Sequence, residues 1–359
     1  MTSSNSSLTQ SLAFCEALGI GVPILMAPMA GACPVPLAVA IGNAGGMGAC
    51  GALLMQPEAI SDWAAKYRAG TNGALHMNIW VPEAEADRDS DHEQKVAQFL
   101  AQWGPEVGPD AGNAGPLDFA AQSEAMLEAG PAVVSSIMGV FPADYVARLK
   151  ERSIKWFATA TTVTEALEAQ AAGADVIVAQ GMEAGGHRGA FLPGNASVDL
   201  VGLFALLPAI VDAVDVPVVA AGGIADGRGV SAALVLGASA VQVGTGFLRS
   251  PEAGIPKAWA DAIGVAQPED TIATRAFSGR LGRSIKTAYA VAANAPEAPE
   301  PAPYPVQRGL TQNMRNLAAK EDTIDGLQAW AGQSARQAKS APAAEIVRIL
   351  WDDAQALLG

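Results

Sequence analysis

His187 lies in the stretch whose residue types are most typical of chemistry, the glycine-rich loop Gln180-Gly-Met-Glu-Ala-Gly-Gly-His-Arg-Gly189. Histidine has an ordinary pKa close to neutrality, so it can transfer a proton at physiological pH. Glycine permits positive φ and lets a backbone come close to a ligand, so the loop can wrap a flat or anionic molecule. The pattern predicts His187 as a catalytic residue. The alternative is a structural histidine whose ring is satisfied by the backbone.

A buried strand must position this loop. The preceding Ala174-Asp-Val-Ile-Val-Ala-Gln180 is a short apolar run, typical of a parallel strand covered on both faces. Similar runs recur along the chain with helical patterns between them, which implies parallel pairing and right-handed crossovers. Eight strands are predicted, at residues 24–27, 48–53, 74–79, 132–135, 155–159, 175–179, 217–220 and 240–243. Their count favours an α/β fold of the (β/α)8 TIM barrel type over an open doubly wound sheet.

Two regions break this alternation. Residues 82–118 are acidic and polar, then rich in glycine and proline, which predicts a loop insertion after strand 3. Residues 293–305 are so rich in proline that they cannot form a helix or a ladder strand. The expected organisation is therefore a barrel over residues 1–290, a connector over 291–309, and a C-terminal helical extension over 310–359 that packs on the barrel.

Further candidate residues lie where other strands are predicted to end, because a barrel carries its function on those loops. Pro28 and Met29 form a rigid apolar loop suited to a planar ring, or else a tight turn in the core. Asn78 can hydrogen-bond a heterocycle or cap a loop. After the seventh and eighth strands, four residues fit a phosphate cradle of backbone N–H groups rather than ordinary turns: Gly222, Gly223, Gly244 and Thr245.

The composition argues against several classes of protein. The net charge of −14 leaves no basic stripe to neutralise phosphates, so no nucleic-acid partner is expected. Residues 17–57 contain no charged side chain, but prolines and glycines interrupt them. The uninterrupted pieces are too short to cross a membrane as a helix. The three cysteines have no CxxC spacing and the N-terminus has no signal-peptide pattern, which favours a cytoplasmic protein.

No metal site, hydrolase elbow or dinucleotide fingerprint is expected. The three histidines are far apart in sequence and there is no HExxH motif. There is no G-x-S-x-G motif either. The glycine-rich residues 41–48 have the wrong spacing for a Rossmann signature and enter a strand instead of leaving one.

Taken together, these segments resemble the nitronate monooxygenases, formerly called 2-nitropropane dioxygenases. The resemblance extends from about Pro23 to Thr287, and its most specific part is Glu-Ala-Gly-Gly-His-Arg-Gly189. The other matching segments are Pro-Ile-Leu-Met-Ala-Pro-Met-Ala-Gly31, Asn-Ala-Gly-Gly-Met-Gly48, Ala-Gly-Gly-Ile-Ala-Asp-Gly227 and Val-Gln-Val-Gly-Thr245.

The resemblance implies a TIM barrel with noncovalently bound FMN. In that family pattern, Pro28, Met29 and Asn78 would line the flavin ring, and His187 would face the substrate over it. Further cofactor contacts would come from the His187 loop and from the last two strands, through Gln180, Gly185, Gly186, Gly222, Gly223, Gln242, Val243, Gly244 and Thr245.

The implied reaction is oxidation of an alkyl nitronate by O2 to a carbonyl compound with release of nitrite. The partners are then a small anionic nitronate or nitroalkane and O2, and His187 acts as a base or as an electrostatic partner of the anion. The alternatives are an FMN-dependent NAD(P)H:quinone or enoyl-thioester reductase on the same barrel, and a non-catalytic flavin- or phosphate-binding protein. The use of NAD(P)H and the oligomeric state, including a homo-oligomer, stay open.

Three places depart from the usual family pattern and leave the substrate open. Met26 stands where glutamine is common, Asn78-Ile-Trp80 stands where Asn-Leu-Phe is common, and residues 278–283 vary a further family segment. Three cations near this last segment would either attract a substrate carboxylate or be structural surface charges: Arg280, Arg283 and Lys286.

Overall fold

The chain is described by a computed structural model that covers residues 2–84, 87–113 and 115–359. In these residues the strands are β1 (Ile24–Met26), β2 (Gly48–Gly51), β3 (Leu75–Trp80), β4 (Val133–Ile137), β5 (Lys155–Ala160), β6 (Val176–Gln180), β7 (Gly186–His187), β8 (Val218–Ala221), β9 (Ala240–Val243), β10 (Thr271–Thr274) and β11 (Gly282–Ile285).

The α-helices of the same residues are α1 (Thr2–Leu18), α2 (Val35–Asn43), α3 (Pro57–Gly70), α4 (Ser90–Leu100), α5 (Phe119–Ala129), α6 (Ala143–Glu151), α7 (Val163–Ala171), α8 (Leu203–Val211), α9 (Gly227–Val235), α10 (Lys257–Val265), α11 (Ala288–Ala292), α12 (Val306–Leu310), α13 (Gln312–Glu321) and α14 (Ala343–Leu358). Several begin at side-chain caps. For example, Asp226 accepts a hydrogen bond from Gly229 N at 3.1 Å at the start of α9.

Eight of the strands form a nearly closed parallel barrel. Their order is β1-β9-β8-β6-β5-β4-β3-β2, and every pairing in it is parallel. A parallel bridge between Leu25 and Met47 brings the two ends of this order together. Each of the eight strands overlaps one of the predicted apolar runs, so the prediction of a TIM barrel is confirmed.

The barrel interior is mostly apolar, and its N-terminal end is closed by α1. Val133, Phe157 and Val219 belong to a cluster of buried side chains that includes Phe14 and Cys15 of this helix. The rings of Phe14 and Phe157 lie 6.2 Å apart. The sequence predicts no element before residue 24, because the N-terminus is polar and shows no helical pattern. The helix α1 is stabilised by apolar contacts that only the folded barrel supplies.

A second, smaller sheet lies beside the barrel and contains His187. It is antiparallel, with the order β10-β11-β7, and it pairs His187 with Gly282 and Gly186 with Arg283. The sequence predicts a loop at His187, whereas the structure places the residue in a strand of two residues. Such a strand is too short to leave a periodic pattern, and it exists only because β11 pairs with it.

The regions outside the regular alternation also contain helices. Residues 82–118 include α4, and residues 293–305 form turns and extended backbone, followed by α12. The last helix, α14, packs on α9 and α2, where Ser231 Oγ donates to the Ala354 carbonyl at 3.2 Å. None of the helices in the described residues is long and apolar enough to cross a membrane.

Candidate active site

His187 is held by contacts from three distant parts of the chain. Its ring lies edge-on to Trp80 at the end of β3, with ring centroids 4.6 Å apart, and to Trp330, with centroids 4.9 Å apart. Its Nε2 lies 2.8 Å from Ser278 Oγ, in the turn between β10 and β11. The half-buried imidazole is therefore fixed in one orientation at the mouth of the barrel.

The side chains around His187 fix the backbone of its loop. Gln180 Nε2 donates to the His187 carbonyl at 3.0 Å, and Gln180 Oε1 accepts from Gly189 N at 2.8 Å. The buried Arg188 donates to the Gln180 carbonyl at 2.6 Å and to the Thr161 carbonyl at 3.2 Å. Arg188 therefore makes structural contacts, and Gln180 holds the backbone of the loop in place.

The surroundings of His187 keep its ring neutral. Burial, followed by the nearby charges of Arg280, Arg308 and Arg315, lowers the pKa of His187 to about 3. At neutral pH the residue is therefore an uncharged imidazole. It can accept a proton or take part in hydrogen bonds, but it is not a resident cation for an anion.

The cations predicted from sequence are mostly engaged within the protein. The buried Arg280 forms an ion pair with Glu83 and donates to the Ala190 carbonyl at 3.1 Å. Arg283 donates to the Met182 carbonyl at 3.0 Å and to a threonine hydroxyl. Lys286 is exposed. Both arginines thus make structural contacts, but they are buried and are not the surface charges that the sequence suggested.

Two other cations near His187 have no acidic partner in the described residues, and sequence reasoning missed both. Arg308 of α12 is half-buried. Its guanidinium forms no hydrogen bond and no ion pair within the described residues. Arg315 donates to Gln328 Oε1 at 3.1 Å, to Thr311 Oγ1 at 3.1 Å and to the Arg308 carbonyl at 2.8 Å, all neutral oxygens. Burial, then Arg308, lowers the pKa of Arg315 to about 10. No local motif marks them, because the fold alone brings α12 and α13 to His187.

The glycines after β8 and β9 form narrow turns that side chains could not occupy. Gly222 and Gly223 have φ of +104° and +70°. A Cβ on Gly222 would lie 3.0 Å from Ala184 N, and one on Gly244 would lie 3.3 Å from the Ala27 Cβ and 3.4 Å from Met29 Sδ. The predicted residues Met29, Gly222, Gly223 and Gly244 thus lie at the same end of the barrel, after the carboxyl ends of its strands.

A segment near the C-terminus, residues 331–334, fastens these turns to the His187 loop. Ser334 Oγ donates to the Gly223 carbonyl at 2.5 Å, and Thr245 Oγ1 accepts from Gly332 N at 3.0 Å. Gly185 packs directly on the segment, since a Cβ there would lie 2.5 Å from Gly332 N. Gly186, with φ of +74°, has open space beside it. The requirement for glycine at 185 therefore comes from the 331–334 segment.

The remaining predicted residues test whether a flavin would fit. The Gln242 Oε1 atom is buried without a hydrogen-bond partner in the described residues, and a ligand with N–H or O–H groups would satisfy it. Val243 is buried in the core, so only its backbone is available, and its carbonyl accepts from Ala27 N at 2.8 Å. Asn78 is buried against Ser135 of β4, and Pro28 is half-buried beside Met29. An orphaned amide oxygen beside glycine turns fits a bound flavin nucleotide.

The chain is similar in sequence to proteins of a known family. The sequence profile of the family described as nitronate monooxygenase matches residues 13–353. A nitronate monooxygenase of Paraburkholderia phytofirmans is 40% identical over 337 residues, covering 92% of this chain and 91% of the relative. A probable nitronate monooxygenase of Staphylococcus aureus is 37% identical over 335 residues, covering 92% of this chain and 94% of the relative.

A solved structure agrees with this assignment. The structure of nitroalkane oxidase from Streptomyces ansochromogenes superposes with a TM-score of 0.88 at 34% identity, covering 96% of this chain and 98% of that one. The family resemblance inferred from the motifs is confirmed, and with it an oxidoreductase of a flavoprotein family that acts on nitronates. The chain belongs to the nitronate monooxygenase family.

Proposed function

We propose that the protein uses FMN to oxidise small alkyl nitronates with O2, giving a carbonyl compound and nitrite. The observation that carries this proposal is the position of His187. A neutral imidazole, fixed by Ser278 between Trp80 and Trp330, lies at the barrel mouth on the same side as the glycine turns after β8 and β9. This arrangement gives a substrate a fixed polar partner between two aromatic rings.

FMN would be held by glycine turns and by polar side chains at the carboxyl end of the barrel strands. Gly222, Gly223 and Gly244, with Thr245, offer backbone and a hydroxyl to the phosphate and ribityl chain. Gln242 Oε1, Asn78 and the Pro28–Met29 loop would contact the ring. When bound, FMN supplies the electron transfer between substrate and O2, while the protein supplies position and electrostatics.

The low pKa of His187 favours a nitronate over a neutral nitroalkane. A general base works best when its pKa lies near the working pH, and a group with a pKa of about 3 is a weak base toward a C–H bond. A nitronate has already lost that proton. His187 would then orient the anion by hydrogen bonding and need not remove a proton from carbon.

The unpartnered cations would attract and hold the negative charge of a nitronate. The chain has 36 acidic and 22 basic residues, so its net negative charge opposes the approach of anions. Arg308 and Arg315 nevertheless lie close enough to His187 to lower its pKa, and no carboxylate pairs with either in the described residues. The guanidinium of Arg308 has no hydrogen-bond partner in the described residues, so Arg308 is the residue best placed to bind substrate oxygens.

A flavin assay followed by anaerobic mixing tests the proposal. The purified protein should be yellow and release FMN on denaturation. Under anaerobic conditions an alkyl nitronate should bleach the flavin rapidly, and admission of O2 should restore the colour with formation of nitrite. Bleaching by NAD(P)H together with no bleaching by a nitronate would contradict the proposal and favour the reductase alternative.

A further inference from the structure

One face of β3 leads from the barrel interior to the candidate site. Residues two apart on a strand share a face, so His76, Asn78 and Trp80 lie in line. Trp80 contacts His187, whereas the His76 ring lies 6.0 Å from Phe157 in the interior cluster. Asn78 lies between these two ends, next to the proposed flavin ring.

A buried serine on the neighbouring strand β4 joins His76 to Asn78. Ser135 Oγ lies 2.6 Å from His76 Nε2 and accepts a hydrogen bond from Asn78 Nδ2 at 2.8 Å. The same Nδ2 donates to the Ser135 carbonyl at 3.2 Å. Both contacts hold the amide nitrogen of Asn78 against one residue, which turns Oδ1 away from it. Oδ1 has no hydrogen-bond partner in the part of the chain that the structure describes.

Stability alone does not account for a histidine in this place. His76 is fully buried, and its Nδ1 has no partner among the described residues. A buried polar atom left without a partner destabilises the folded state, and an apolar side chain would avoid that cost. What the imidazole does provide is a fixed partner for the Ser135 hydroxyl. The network therefore specifies an orientation more than it stabilises the barrel.

We propose that His76 is a positioning residue for the cofactor: through Ser135 it holds Asn78 so that Oδ1 accepts a hydrogen bond from an N–H group of the flavin ring. This inference rests on the proposed FMN site. The flavin ring carries an imide N–H, which needs an acceptor opposite it. An amide free to flip would present its own N–H groups there for part of the time and lose the bond.

The test measures FMN binding to the full-length protein by equilibrium dialysis, together with the visible spectrum of the bound flavin. His76→Phe and Ser135→Ala should each raise the Kd for FMN about tenfold, the equivalent of one hydrogen bond worth about 1.4 kcal/mol, and shift the flavin absorption bands. His76→Gln keeps a polar group near the Nε2 position and should bind FMN within about threefold of the original protein.

A serine on the other face of β4 provides the matched control. Ser136 is equally buried, and its Oγ accepts from Trp156 Nε1 at 3.0 Å, away from Asn78. Ser136→Ala should therefore leave the Kd and the spectrum unchanged. Because His76 acts through Asn78, the double variant Asn78→Ala/His76→Phe should bind FMN no more weakly than Asn78→Ala alone.

Two results would overturn the inference. One is an unchanged Kd and spectrum in both His76→Phe and Ser135→Ala. The other is an additive loss in the double variant, which would mean that His76 acts independently of Asn78. An original protein that binds no FMN would instead refute the proposed function, so the two failures are distinguishable.

Discussion

At the scale of single residues, protonation decides what the site can do. His187 looks like a general base from sequence, because an ordinary histidine titrates near neutrality. In the fold, burial and three arginines lower its pKa to about 3. The sequence identifies His187 but does not show its protonation state. That state depends in part on Arg280, Arg308 and Arg315, which are all distant in the chain.

The first prediction concerns His187 itself. His187→Asn should keep stoichiometric FMN but lower kcat with a nitronate by about 10–10²-fold, the equivalent of a lost hydrogen bond to a charged group worth about 1.5–3 kcal/mol. Oxygen consumption and the ratio of bound FMN to protein measure the two effects separately. His92→Asn is the control, because His92 lies on α4 and its Nε2 bonds the Glu300 carbonyl. Undiminished turnover in His187→Asn would mean that the histidine is structural.

The second prediction assigns substrate binding to Arg308. Arg308→Met should raise KM for a nitronate about tenfold and leave kcat within about twofold, because it removes a cation that binds the anion throughout the reaction. Steady-state oxygen consumption gives both constants. Lys286→Met removes an exposed cation and should change neither. If the two substitutions raised KM equally, Arg308 would act only by long-range attraction and would not bind the substrate directly.

At the scale of elements, the site depends on segments that meet only in the fold. The 331–334 segment bonds to Gly223 and Thr245 and packs on Gly185. It therefore joins the turn after β8, the turn after β9 and the His187 loop. The sequence predicts a C-terminal helical segment that packs on the barrel, but nothing in its composition shows which turns it touches.

The third prediction tests this junction. Gly185→Ala would place a Cβ 2.5 Å from Gly332 N and 2.6 Å from Ala331 C, both backbone atoms, so the segment must shift. Overpacking of this kind costs about 1–3 kcal/mol in the free energy of unfolding, which urea denaturation measures. Gly194→Ala has no atom within 4 Å and should change stability by less than about 0.5 kcal/mol. Equal stability of the two variants would show that the segment is not fixed there.

At the scale of the whole molecule, buried neutral histidines make stability depend on pH. Burial lowers the pKa of His76 to about 3, below its ordinary value of 6.5. Between these values the unfolded chain binds a proton that the folded chain excludes, so stability is full above pH 6.5 and falls as the pH drops. His187 acts in the same direction, but partial exposure reduces its contribution.

The fourth prediction gives the size of this effect. Between pH 7.5 and 5.5 the His76 contribution to the free energy of unfolding should fall by about 1.4 kcal/mol, since one pKa unit corresponds to about 1.36 kcal/mol. Urea denaturation at the two pH values measures it. His76→Gln should remove that part of the pH dependence, whereas Ser136→Ala should keep it. The same slope in His76→Gln would mean that His76 does not titrate on unfolding.

The sequence by itself determined the barrel, the family and the principal candidate residue. Buried strands appear in the sequence as apolar runs, and turns appear as clusters of glycine. These local patterns were enough to locate the eight strands and to select His187 as a candidate. Only the tertiary structure placed Ser278, Trp330 and Arg308 around that histidine. The physical reason is that contacts and pKa shifts arise between segments far apart in the chain, and no local period records which of them will meet.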